Sequence, residues 1–350
     1  MPSGPARYSE LPLSAQTAYA ELLDQARAAE LHRSVGGLNG SFASKSVKGR
    51  RYWYFAYRDV DGAVRQLYVG PDDERVRSLM ARFRDEAPRA LAPMAKAAAA
   101  LGCAAAVPKQ FRIVRRLAEY GFFRAGGVLI GTHAFVCLGN ALGVRFTDAA
   151  ATLDVDFAHA GRNISVALPA DVRVDVRKAI DSLELGFLPI TALQGAAGTT
   201  YLNPADPELR VDFLTPMTRA GTKAVRIPNL NVALQPLKFM EFSLEDLNQA
   251  VLLAEEGAVV VNVPAPARFA VHELIVHGER SGSFRTKANK DLRQAAALVE
   301  YLAAHRPDEL RAAWRDASAR GAGWQKRARQ GRDALRKLDP AARGLDLLAP

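Results

Sequence analysis

Apolar residues recur with a helical period over residues 14–33, where Tyr19, Leu22, Leu23 and Ala26 fall on one side and Ser14 stands in the capping position. The period then changes. In "SFASKSVKGRRYWYFAYRDVDGAVRQLYVGPD", residues 41–72, apolar and polar positions alternate, with turn pairs at "KG" and "DG". Alternation broken by such pairs predicts a three-stranded antiparallel sheet with aromatics on one face. Helical spacing returns over 73–99, with Val76, Leu79, Met80 and Phe83 on one side, and again over 109–121. The Ala-rich "AKAAAALGCAAAVP" between them reads as a hinge. "GGVLIGTHAFVCLGNALG" reads as an apolar strand, a Gly-Thr turn and a helix ending near Gly139 or Gly143. From about 164 to 262 short strands alternate with turns ("ISVAL", "RVDFLTP", "AVRIP", "AVVVNV"), with one helix near 172–186. Beyond, the pattern is nearly all helix. Pro264 and Pro266 open the first, where a missing N–H costs little, and later helices cover 288–305, 307–319 and 322–337. These shifts divide the chain into 1–100, a helix with a small basic and aromatic sheet and a linker helix; 101–262, a strand-rich core; and 263–350, a helical region.

One strand departs from its type. In "LDVDF", residues 153–157, the alternation is regular, but the polar positions are Asp154 and Asp156. Residues two apart on a strand share a face, so the carboxylates sit side by side. Like charges that close are unfavourable unless something positive lies between them, and hard oxygen ligands suit a divalent cation. The alternative is a half-exposed strand with two solvated acids. A third acid, Asp212, interrupts the apolar run of "LRVDFLTP". If its strand pairs beside the first, all three carboxylates meet, because cross-strand neighbours lie about 5 Å apart. Just upstream, "LIGTHAF" places Gly131 and Thr132 at a helix start, where backbone N–H groups bind anions.

Composition narrows the partners. The chain has 350 residues, 49% of them hydrophobic, and a net charge of +10. That charge points to a polyanion such as nucleic acid or nucleotide phosphates. Two cysteines, Cys103 and Cys137, argue against a disulfide scaffold, and the N-terminus lacks a secretory pattern, so a reducing cytoplasm is the expected compartment. No apolar run is long enough to span a membrane. "HELIVH" sets its histidines five apart, about 140° round a helix, so it is no zinc-protease motif. The basic stretch 281–290 is read either as a phosphate or nucleic-acid contact or as a solvated loop, and the aromatic-basic sheet either as an RNA platform or as a face packed on a helix.

The order of a glycine turn, a helix, "DhDh" (h, an apolar residue) and a later lone Asp on a strand, here "IGT", "LDVDF" and "VDF", resembles the DNA polymerase β-type nucleotidyltransferase superfamily. "SVKGRRYWYF", "GGVLIGTHAFVCLGNALGVR", "VDFLTP" and "KDLRQAAALVEYL" are similar to a bacterial nucleotidyltransferase-fold subfamily, over about residues 40–325. The resemblance implies an α+β fold: a mixed-sheet nucleotidyltransferase core, with a small N-terminal antiparallel sheet and a C-terminal helical region. It casts Asp154, Asp156 and Asp212 as catalytic ligands of Mg²⁺ (or Mn²⁺), and Gly131 and Thr132 as the cradle of an NTP's terminal phosphates. Related toxin–antitoxin enzymes add a helical Lys and a later acid. Here Glu273 stands where the Lys is expected; Arg268, Lys287 or Lys290 can substitute, and Asp291 matches the acid. His133 is either a nucleotide contact or a structural histidine. The implied reaction is metal-dependent transfer of an NMP from an NTP to an acceptor hydroxyl, with RNA, tRNA in particular, the favoured acceptor. A metal-dependent nuclease and a non-catalytic nucleic-acid-binding protein of the same fold are the alternatives. An antitoxin-type partner and a second copy of the chain both stay open.

Overall fold

The computed structural model describes residues 6–35, 40–58, 63–83, 90–147, 154–160, 173–190, 198–219, 221–279 and 285–349. The chain opens with β1 (Tyr8–Glu10), α1 (Leu13–Val35), β2 (Gly40–Val47), β3 (Arg50–Arg58) and β4 (Val64–Pro71). Then come α2 (Glu74–Arg82), α3 (Leu91–Ala100), α4 (Pro108–Glu119), β5 (Gly127–Ile130), α5 (Gly131–Ala141), β6 (Val144–Phe146), β7 (Val155–His159) and α6 (Val176–Asp181). The strands β8 (Leu188–Ile190), β9 (Thr200–Asn203), β10 (Asp206–Pro216), β11 (Val225–Ile227) and β12 (Val232–Leu237) follow, then α7 (Met240–Leu244), β13 (Leu247–Ala254) and β14 (Gly257–Pro264). Four α-helices follow, α8 (Pro266–Glu279), α9 (Arg285–His305), α10 (Pro307–Ala319) and α11 (Ala322–Leu338), and then a 3₁₀ turn at Leu345–Leu348. The class is α+β, with a mixed central sheet, smaller antiparallel sheets and helices toward the C-terminus. No described helix is long and apolar enough to cross a membrane.

The central sheet runs β11-β12-β10-β7-β5, with β9 also on β10 and β8 on β9. β7 and β10 are parallel and in register, Val211 with Val155, Asp212 with Asp156, and Phe213 with Phe157. The alternation therefore splits as the sequence predicts. Phe157 and Phe213 stack at 5.5 Å on one face, and Phe122 stands edge-on to both. Each such buried ring contributes on the order of 2–3 kcal/mol. The acids take the other face.

Several boundaries differ from the sequence pattern. The helix predicted over 73–99 is two, α2 and α3. The Asp73 carboxylate caps α2 by accepting from Val76 N at 2.8 Å. The Ala-rich stretch read as a hinge begins inside α3, whose Ala95 and Ala98 are fully buried. Their small side chains let α3 lie close on α1 and on the β13–β14 hairpin, which together form one apolar cluster. Pro264 ends β14 opposite Leu247 instead of opening a helix. The helix near 172–186 is only α6, capped by Asp175. Residues 285–290 of the basic loop are the first turns of α9; 281–284, like "ISVAL", lie outside the described residues.

The N-terminal sheet has the predicted order β2-β3-β4, with Lys48 and Gly49 both at positive φ in the first turn. Its apolar face packs on the helices: Phe42 stands edge-on to Phe55 and Phe83, in one cluster with Leu31 of α1 and Val76 of α2. On the other face, the Lys45 ammonium sits 5.1 Å above the Tyr54 ring. The two ends of the chain also meet. β1 pairs with β6, Arg7 pairs with Asp339, and Tyr8 packs on Tyr301 and reaches His305 Nε2 at 3.1 Å.

Candidate active site

β5 delivers the chain to α5 beside the acid strand, since Ile130 stands opposite Asp156 in the antiparallel β5–β7 register. Gly131 begins the helix at φ +63°, and a Cβ there would lie 2.7 Å from Asp156 Oδ2. Glycine alone combines that dihedral with that approach. The N-cap residue, Ile130, makes no side-chain capping bond to α5, and backbone N–H groups at a helix start suit an anion. Thr132 is buried, and its Oγ1 accepts from Lys290 Nζ at 2.9 Å and from Gln294 Nε2 at 3.3 Å. These two donors are four residues apart on α9, hence on one face.

Around this turn a cavity opens. Asp154 and Asp156 line it from the sheet, Gly131 and Thr132 from α5, and Lys290 and Asp291 from α9. Its floor is apolar, with Ile130, Leu214 and Met240. His272 and the buried Glu273 enter from α8, and Lys238 from the end of β12, where its ammonium meets Glu279 at 2.6 Å. His133, buried behind the turn, has its pKa pushed down to about 4. Burial is the main cause, the Lys290 charge adds to it, and Asp154 opposes it. The imidazole is therefore neutral at pH 7.

Asp212 lies beside Asp156 in register, but its carboxylate has other partners: Oδ1 accepts from Thr200 Oγ1, and Oδ2 is 3.9 Å from Arg210 Nη2. Arg268 turns away from the cavity, held by Asp316 at 2.8 Å and by Glu245. Lys287 is on α9, with its side chain outside those described. Among the described residues, no three His, Cys, Asp or Glu side chains close into a metal cage. Mg²⁺ seldom uses one, taking one or two carboxylates and completing its shell with phosphate oxygens and water. Asp154 and Asp156, hard donors in the same cavity as the start of α5, fit that requirement.

A family model described as Nucleotidyltransferase matches residues 109–319, more than half of the chain, from α4 to the end of α10. The chain belongs to this nucleotidyltransferase family. Every cavity residue of the nucleotidyltransferase named above falls within the matched stretch. No curated protein matches the chain. One solved structure, an antigenic nucleotidyltransferase-like protein from Paracoccidioides brasiliensis, is 13% identical, over 65% of this chain and 95% of that one, with a TM-score of 0.29; so slight a likeness carries no argument. Lys238 and Gln294 are nucleotidyltransferase cavity residues that the sequence pattern did not single out, and His272 entered it only through the rejected "HELIVH" motif. Gln294 was within reach, since the i,i+4 spacing from Lys290 places both on one helical face; Lys238 and His272 reach the cavity only through tertiary packing.

Proposed function

We propose that the protein transfers an NMP from an NTP to an acceptor hydroxyl with the help of Mg²⁺ or Mn²⁺, and that the acceptor is RNA. One observation carries this reading: Asp154 and Asp156 share a cavity with the start of α5, whose threonine is bridged to a lysine. Asp154 and Asp156 would hold the ion, which when bound neutralises charge on the phosphates. The α5 N–H groups and Lys290 Nζ orient the terminal phosphates. Gly131 lets those phosphates approach the backbone. Neutral His133 adds no positive charge beside Lys290. In the transfer, the acceptor oxygen bonds to the α-phosphorus while the bond to the bridging oxygen breaks. The hydroxyl proton passes to the Asp212 carboxylate, which must first leave Thr200 and Arg210, and pyrophosphate leaves. The +10 charge of the chain favours RNA over a neutral acceptor. The test is incubation with labelled NTPs, Mg²⁺ and total RNA. Label should enter RNA with the wild type and not with Asp156→Asn, which should keep its circular dichroism spectrum. RNA shortening without label transfer would instead identify a nuclease.

A further inference from the structure

Thr132, at the start of α5, is buried and lines the candidate active-site cavity together with Lys290 and Gln294 of α9. A threonine hydroxyl accepts two hydrogen bonds and has one proton to give. Both accepting places are filled: Lys290 Nζ donates at 2.9 Å and Gln294 Nε2 at 3.3 Å. Neither donor can take a proton in return, since an ammonium and an amide NH₂ have no acceptor. Thr132 Oγ1 is therefore left without a lone pair for a cation, and among the described residues its own proton has no acceptor. A buried donor left unspent is unfavourable. What this hydroxyl lacks is an acceptor, and a phosphate oxygen is one.

Gln294 is the less expected of the two donors. It is only 1% exposed and stands one helical turn after Lys290, on the same face of α9. With Lys290 alone, one lone pair of Oγ1 would stay open and the hydroxyl could turn among its staggered positions. The second donor removes that freedom, and the amide does so without charge. A carboxylate at position 294 would do the reverse, because it can only accept and would draw the Thr132 proton to itself.

We infer, resting on the nucleotidyl-transfer reading above, that Gln294 is a positioning residue for the NTP. By filling the second accepting place on Thr132 Oγ1, its amide makes that hydroxyl a fixed donor to a terminal-phosphate oxygen. A donor oriented in advance needs no reorganisation when the phosphate arrives. Thr132 in turn contacts the phosphate and leaves the cation to Asp154 and Asp156.

The test is a double-mutant cycle read by calorimetric binding, in Mg²⁺, of whichever of the four α,β-methylene NTPs the wild type binds most tightly. Thr132→Val and Gln294→Met each keep the side-chain volume and should keep the circular dichroism spectrum. Each should weaken binding about tenfold, and in label transfer each should raise KM for the NTP with kcat within twofold. The double variant should bind within twofold of Thr132→Val, because Gln294 acts only through that hydroxyl. A structural role for Gln294 predicts independent losses instead, and a double variant about a hundredfold weaker than the wild type. That additive result, or wild-type affinity in Gln294→Met, overturns the positioning role while leaving label transfer by the wild type, and hence the proposed function, intact. A wild type that binds none of the four analogues and transfers no label overturns both.

Discussion

Replacing Gly131 with alanine would separate backbone strain from displacement of a catalytic carboxylate. An L-residue at φ +63° costs on the order of 1–2 kcal/mol, partly offset by a less flexible unfolded chain. The new Cβ would stand 2.7 Å from Asp156 Oδ2, against 3.4 Å or more for an ordinary contact, so the carboxylate must retreat by roughly 0.7 Å. Misplacement of about 1 Å at a reacting centre costs on the order of 10²-fold in rate. Gly186→Ala supplies the control, because Gly186 has φ +71° and nothing described within 4 Å of its Cβ position. Both variants should lose about 1 kcal/mol of stability in denaturant titrations. Only Gly131→Ala should lose label transfer from NTP to RNA, by roughly 30- to 100-fold. Transfer within twofold of the wild type in Gly131→Ala, or an equal loss in Gly186→Ala, would refute the claim that Gly131 is required by its approach to Asp156.

Three further outcomes test the same cavity and the N-terminal sheet. Lys290→Met removes one of the two donors to Thr132; steady-state kinetics should show KM for the NTP rising about tenfold, and NMR titration should show the His133 pKa moving up as a neighbouring charge is lost. Because the folded pKa of His133, about 4, lies below its ordinary 6.5, the unfolded chain takes up that proton first. Stability from this residue is complete above pH 6.5 and falls as the pH drops toward 4, by on the order of 3 kcal/mol. His133→Gln should flatten that part of the melting curve measured from pH 4 to 7, and an unchanged slope would exclude His133 as its source. Alanine at both Arg50 and Arg51 should weaken RNA binding and lower the salt slope by about two in filter binding, while the fold loses less than about 1 kcal/mol from the exposed Arg50–Asp246 pair.

The acid face of the core was legible because strand alternation is a strict period of two. Val155 and Phe157, like Val211 and Phe213, had to point one way, which left Asp154, Asp156 and Asp212 on the other. The pairing of β7 with β10 was an inference from apolar runs, and the register that sets Asp212 opposite Asp156 depends on neighbouring strands far away in sequence. The N-terminal sheet was readable from "KG" and alternation. The destination of its aromatics was not, since Phe42 and Phe55 find their partner Phe83 only once α2 folds back on the sheet. β13 escaped notice because "AVLLA" is apolar on both faces, and a doubly buried strand has no alternation to show. Of the cations offered as phosphate contacts, composition could not choose between Arg268 and Lys290. The choice was made by Asp316 and Glu245, which hold the arginine elsewhere.

The contact between the two ends of the chain bears on how the protein is made. Tyr8 and His305, which touch, are 297 positions apart, an interval of tens of seconds at about 5–20 residues per second of translation. α1 waits almost as long, because the Tyr19 hydroxyl accepts from Val251 N, 232 positions downstream, and the apolar side of the helix is covered by the β13–β14 hairpin. Until that hairpin leaves the ribosome, Tyr19, Leu22 and Leu23 have no sheet to cover them. The nascent chain, rather than the finished protein, is thus the state in which this sequence most needs a chaperone.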